Sequence, residues 1–160
     1  MKIAIEQVDY RDNTQAEQLV GLLNDYAKDA MGGGEPLPEF VKSNLAVALQ
    51  DVPGAVSFIC YVEGEPAGFI NCIPGFSTFK CKPLLNIHDL AVNKKFRGLG
   101  LSQKLLAAAE QTARDRGCCK VTLEVLSGND VAKNSYRKFG FADYQLDEKA
   151  GTALFWQKDL

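Results

Sequence analysis

The sequence predicts an α+β fold, a mixed and mostly antiparallel sheet flanked by helices. Three observations carry that expectation. Apolar periodicity alternates between two and 3.6 residues along the chain. A turn at Glu63-Gly64-Glu65-Pro66 joins two strand patterns into a hairpin. Later strand patterns are separated by whole helical patterns, so crossovers and parallel pairs must accompany the hairpins.

Ile3, Ile5 and Val8 alternate with polar neighbours and form a first strand that ends near Asp9-Tyr10-Arg11-Asp12. A helix follows from about Thr14, where Thr14 and Glu17 have capping-box spacing. Ala16, Leu19, Val20, Leu23 and Ala27 make its apolar stripe, and Gly32-Gly33-Gly34 ends it. Beyond Pro36 and Pro38, a second amphipathic stretch runs through Phe40, Val41, Leu45, Ala48 and Leu49 and stops before Pro53-Gly54. Val56, Phe58, Cys60 and Val62 face one side of the first hairpin strand, and 68–73 returns. A looser segment with Pro74, Gly75 and Pro83 leads to a strand over 85–92. Leu101, Leu105, Ala108, Ala109 and Thr112 line a helix closed by Arg114-Asp115-Arg116-Gly117. The remaining expectations are a β-branched strand over 119–126, a short helix over 129–139 stopped by Gly140, and two last strands over 141–146 and 152–157. No internal repeat is visible, and the whole of 1–160 is expected to be a single domain.

With 160 residues, the chain can bury roughly 70% of its unfolded surface without metals or disulfides. Its 18 Lys plus Arg against 20 Asp plus Glu give a net charge of -2, which supplies no basic field for nucleic acid or an anionic membrane. Cys60, Cys72, Cys81, Cys118 and Cys119 are odd in number and contain no C-x-x-C pair, so a reduced cytoplasmic location is expected. The first residues lack the apolar region of a signal peptide, and nothing later reaches membrane-spanning length. One histidine and scattered cysteines show no metal-ligand spacing.

The segment 87–102 reads strand, basic glycine turn, helix start, which is anion-binding architecture. Gly98 and Gly100 lack Cβ atoms where backbone must approach a ligand, the helix start has a positive dipole end, and Lys95 and Arg97 add charge. A diphosphate is the natural guest. The third glycine of a dinucleotide fingerprint is missing from 98–103, no P-loop is present, and the hairpins do not suit a doubly wound nucleotide fold.

Lys95-Phe96-Arg97-Gly98-Leu99-Gly100 resembles the Q/R-x-x-G-x-G/A pattern of the GNAT superfamily of N-acetyltransferases, with Lys at the usual Gln or Arg. Asn129, Ala132, Tyr136, Gly140 and Phe141 match the family's second pattern, N-x-x-A-x-x-x-Y-x-x-x-G-F, at the expected distance downstream. The order of elements is also similar along essentially the whole chain. The resemblance implies acetyl-CoA as co-substrate, bound in a V-shaped opening between the strand ending at Val92 and the strand ending near Leu126. It implies a pantetheine arm paired with backbone at Leu90 and Val92. The backbone of Lys95, Phe96, Arg97, Gly98, Leu99, Gly100, Leu101 and Ser102 would serve the pyrophosphate, and Asn129 the arm's other side. The Leu90 N–H would polarise the thioester carbonyl.

Such a reaction needs a neutral amine against the carbonyl, a proton acceptor, a dipole for the oxyanion and a proton for the departing thiolate. The resemblance gives the last role to Tyr136, whose phenol can protonate a thiolate. His88, the only histidine, is the leading base, directly or through water. Asp89 projects opposite to Leu90 in a regular strand, although a bulge would change which side chain faces the cleft. Glu124 is a second candidate base.

The expected activity is therefore acetyl-CoA-dependent N-acetylation of a primary amine on a small molecule or peptide, by direct attack in a ternary complex. A non-catalytic acyl-CoA-binding or sensing module is the alternative, and a nucleotide-dependent oxidoreductase is a weaker one. Tyr26, Glu35 and Phe76-Ser77-Thr78-Phe79 are candidate acceptor contacts. Family resemblance also suggests a homodimer joined through the late strands.

Overall fold

β1 (Ile3–Gln7), β2 (Val56–Val62), β3 (Glu65–Ser77) and β4 (Lys82–Val92) pair antiparallel in chain order, and β5 (Val121–Leu123) adds parallel to β4. The mixed, mostly antiparallel α+β architecture is the expected one. The computed structural model describes residues 1–160 in two units, Met1–Leu123, which holds the entire sheet, and Glu124–Leu160.

In the first unit, α1 (Asn13–Lys28) and α2 (Glu39–Asp51) connect β1 to β2, and α3 (Leu101–Asp115) connects β4 to β5. The cap of α1 is Asp12, not Thr14. Its carboxylate accepts the Gln15 N–H at 3.0 Å, and Gln15 Oε1 in turn accepts the Asp9 N–H at 2.8 Å. Thr14 already lies inside the first turn, where Asp12 has claimed the end.

Strand alternation sends neighbouring side chains to opposite faces. Ile59 and Phe69 are fully buried against Leu19, Leu22 and Val8, so α1 covers their face. Cys60, Gly68 and Ile70 turn the other way, where a Cβ on Gly68 would meet the Leu105 side chain of α3 at 3.4 Å. Leu101, Leu105, Leu106 and Ala109 bury the matching stripe of α3. Each fully buried large apolar side chain contributes about 1.5–3 kcal/mol. The second helix departs from expectation: it has no buried residue, and Phe40 is 77% exposed while Leu49 reaches the α1 core.

The β3–β4 hairpin is longer than its sequence suggests, for Pro74 and Gly75 lie in paired strand opposite Leu85 and Leu84. β2 stops at Val56 opposite Cys72, so Pro74 occupies an edge position on that side and its missing N–H breaks no ladder.

In the second unit, α4 (Asp130–Phe139) is capped by Asn129, whose side chain accepts the Ala132 N–H at 3.2 Å. Gly140, at φ 117°, stops it, and the Phe141 N–H returns to the Tyr136 carbonyl at 3.0 Å. The two expected late strands do not form. A single bridge joins Gln145 and Thr152, around a turn in which Asp147 accepts from Ala150 and Gly151. An isolated pair of short strands is marginal in water, and Leu154, Phe155 and Trp156 stay exposed. No helix is long and apolar enough to cross a membrane.

Candidate active site

The parallel ladder between β4 and β5 ends at Ile87 and Leu123, short of the expected position near Leu126. A bulge accounts for the stop. Asn71 faces Asp89 while Cys72 faces Ile87, so His88 is an extra residue without a partner on β3. Before the bulge the Leu85 N–H donates across to Lys120 of the β5 side at 3.2 Å. After it the Asn93 N–H donates to Ala67 on the β3 side at 2.8 Å. By alternation, Asp89 and Ala91 turn their backbone groups to β3, and Leu90 and Val92 turn theirs to the edge that β5 has left. One inserted residue thus exchanges which amides line the open edge and terminates the parallel ladder in the same step.

The strand runs directly into a short 3₁₀ turn, Lys94–Phe96, capped by Asn93 Oδ1 on the Lys95 N–H at 3.0 Å and anchored by buried Phe96. Gly98 and Gly100 follow at φ 82° and 71°. A side chain there strains the backbone, yet a Cβ at either position meets no protein atom within 4 Å. Gly100 is also the N-cap of α3 and offers no side chain to the helix start, leaving a positive dipole end beside open space. Leu101 is buried in the core of α3.

The charges of this turn are partly engaged. Lys95 Nζ contacts both oxygens of Glu65 at 2.9 Å and lies 5.1 Å from the Phe96 ring centroid. Lys94 and Arg97 approach one oxygen of Asp29, at 3.7 Å and 4.0 Å. Asp29 also caps the short turn after α1 by accepting the Met31 N–H at 3.1 Å, so the connection after α1 reaches the anion turn.

On the α1 face of the sheet a chain of side-chain hydrogen bonds crosses three strands. Tyr10 Oη and Ser57 Oγ are 2.8 Å apart, Ser57 donates to Asn71 Oδ1 at 2.6 Å, and Asn71 Nδ2 donates to Asp89 Oδ2 at 3.0 Å. Ser57 and Asn71 are 1% and 5% exposed, which makes this order of donors and acceptors costly to alter. Burial raises the Tyr10 pKa, partly offset by the bond to Ser57. Burial also raises that of Tyr26, with the negative charges of Asp89 and Asp29 adding to it, so the Tyr26 phenol shares the field of both carboxylates. Sequence reasoning passed over Asn71 and Asp29. The signal for Asn71 was a lone amide in the apolar run 68–73.

His88 is solvent-exposed, and Leu90 and Val92 are half-buried. Of the residues expected further along, Glu124, Asn129 and Tyr136 belong to the second unit. Glu124 is exposed; Asn129 Oδ1 is committed to the α4 cap; Tyr136 is half-buried with its ring edge-on to Phe141 at 6.0 Å.

Comparison with known proteins bears on the family and the fold. The model of the acetyltransferase (GNAT) family matches residues 19–141. An uncharacterised N-acetyltransferase of Methanocaldococcus jannaschii is 32% identical over 90 residues, 56% of this chain and 40% of that protein. The thialysine N-epsilon-acetyltransferase of Bos taurus is 31% identical over 107 residues, 62% of this chain and 60% of its own length. The matched stretches thus span about half the length of these relatives. Among solved structures, AAC(6')-Iy in complex with a CoA-S-monomethyl-acetylneamine bisubstrate analogue has a TM-score of 0.78 at 18% identity, covering 100% of both chains. An integron cassette protein of V. cholerae has a TM-score of 0.78 at 19% identity, covering 99% of this chain and 93% of that one.

Proposed function

Because the chain belongs to the acetyltransferase (GNAT) family, we propose that it transfers an acetyl group from acetyl-CoA to a primary amine by direct attack in a ternary complex. The observation that supports this most strongly is the bulge at His88, which brings the Leu90 and Val92 amides to the open edge of β4 immediately before the glycine turn. That edge suits an extended amide-bearing arm, and the open space over Gly98 and Gly100 suits a pyrophosphate.

In this reading the pantetheine arm adds to β4 at Leu90 and Val92, while the backbone over 95–102 takes the pyrophosphate, with Arg97 exchanging Asp29 for a phosphate oxygen. The neutral amine attacks the thioester carbonyl carbon and its electron pair becomes the new C–N bond. The Leu90 N–H stabilises the oxyanion that forms. His88 or water takes the ammonium proton. Collapse of the intermediate breaks the C–S bond, and Tyr136 donates its proton to the leaving thiolate, giving the N-acetyl amine and CoA. Asn129 holds the arm from its other side. The roles of Tyr136 and Asn129 rest on the family pattern, and they require 1–160 to act as one catalytic domain.

The names of relatives and structural neighbours include a lysine analogue and aminoglycosides, which support a small cationic acceptor, and N-alpha-acetyltransferases, which support a peptide amine. Five free thiols, two of them buried, suit a reducing cytoplasmic location. The test is thiol release from acetyl-CoA across a panel of amines, aminoglycosides and peptides. We expect acceptor-dependent release that Tyr136→Phe lowers about 10²- to 10⁴-fold, with acetyl-CoA affinity nearly intact. Acetyl-CoA binding without release on any acceptor would instead favour a sensing module.

A further inference from the structure

We infer that the tip of the β3–β4 hairpin, residues 76–82, is a docking wedge for an anionic lipid surface. Phe79 enters the headgroup layer, and Lys80 and Lys82 pair with lipid phosphates. Docking there needs no acetyl-CoA.

The tip is an ordered projection. β2 begins at Val56 opposite Cys72, while β3 and β4 stay paired as far as Ser77 and Lys82. At about 3.3 Å per residue, the hairpin runs about 16 Å past the end of β2. Its stem is tightly packed, for a Cβ on Gly75 would come within 2.9 Å of Leu84 Cδ1. Pro74 packs on the turn before β2, where Arg116 Nη1 donates to the Gly54 carbonyl at 2.7 Å. At the apex the Lys80 N–H donates to Ser77 Oγ at 3.3 Å, and Cys81 turns the chain with φ 51°. The wedge is thus formed before any partner arrives.

Its chemistry is aromatic and cationic. Phe79 is 99% exposed and Phe76 60%, and two phenyl rings left in water on one ordered tip gain by burial elsewhere. Lys80 and Lys82 are exposed and form no ion pair. No acidic residue occurs from Pro66 to His88. None occurs from Arg116 to Leu123 either, the segment that leads into β5 beside this hairpin and adds Arg116 and Lys120. The acids closest to these segments, Asp51 and Asp115, sit at the ends of α2 and α3. The net charge of -2 is therefore an average that this end of the sheet does not share.

Shape selects the partner. A specific protein interface needs a broad surface of roughly 800 Å² per partner, and single-stranded nucleic acid is held in a groove. A convex hairpin tip offers neither, whereas a lipid surface yields to a wedge and presents phosphates around it. Leu90 lies about 26 Å along β4 from Lys82, so docking leaves the open edge and the glycine turn in water.

The test is co-sedimentation of the full chain with vesicles of phosphatidylcholine alone and of equal parts phosphatidylcholine and phosphatidylglycerol. We expect binding to the anionic vesicles at least about 10-fold above the neutral ones, falling as salt rises. Phe79→Ser should weaken it about 10-fold, and Lys80→Gln and Lys82→Gln about five-fold each. All three side chains are exposed, so thermal midpoints should stay at the wild-type value, which separates lost docking from lost folding. With the single tryptophan removed by Trp156→Phe, the emission of Phe79→Trp should shift to the blue on anionic vesicles. Equal binding to both vesicle types, or none to either, would overturn the inference. Undiminished binding by Phe79→Ser would overturn the wedge, and capture of polyuridylate but not of vesicles would give the tip to nucleic acid instead.

Discussion

Burial separates two inert thiols of this chain, Cys60 and Cys72, from the exposed thiol of Cys81. Cys72 is 1% exposed, and removal from water pushes its thiol up to about 12, so almost no thiolate exists at pH 8. Cys60 is fully buried and shifted in the same direction, whereas Cys81 is exposed at the β3–β4 hairpin. With an aromatic disulfide reagent at pH 8, Cys81 is expected to react within the mixing time, and Cys60 and Cys72 only in denaturant. Prompt modification of all five in the native protein would contradict that placement. The sequence conveyed the apolar runs that hide these thiols. It did not convey the partners of a buried amide: Asn71 was visible as an anomaly in such a run, but its bonds to Ser57 and Asp89 join residues 14 and 18 positions away.

At the scale of elements, the strand, glycine turn and helix over 85–115 were legible because local chemistry sets them. Gly98 and Gly100 adopt left-handed backbone that other residues resist, and the apolar stripe of α3 has helical spacing. The bulge at His88 was not legible, since it depends on the register of β3 against β4. Gly100→Ala and Gly100→Glu separate backbone strain from ligand space. Alanine is expected to cost about 1 kcal/mol of stability, measured by urea denaturation, because its Cβ meets no protein atom. Glutamate is expected to abolish acetyl-CoA binding by calorimetry, through bulk and charge set against the pyrophosphate. Retained affinity in Gly100→Glu would displace the phosphates from this turn.

At the scale of the whole molecule, burial couples stability to pH. Tyr10, Tyr26 and Tyr61 all have pKa values raised above 10, chiefly by desolvation, so folding favours their neutral forms. Their contribution is fully present below pH 10, the unfolded value, and is lost as pH rises through the raised folded values. Denaturation midpoints should therefore fall steeply above pH 10, and less steeply in Tyr10→Phe, which has one fewer phenol to ionise. An equal slope in the variant would exclude Tyr10 from this linkage. The expected strands over 141–146 and 152–157 show the opposite limit, for their alternation is real but nothing within Glu124–Leu160 supplies a sheet to receive them. The sequence by itself determined the class of fold, the hairpins, the glycine turn and the family, because these follow from periodicity, backbone preference and short motifs. Only the tertiary structure decided which amides face the open edge of β4 and which polar groups hold Asp89. Those outcomes depend on strand register and on burial between distant segments, and no local pattern encodes either.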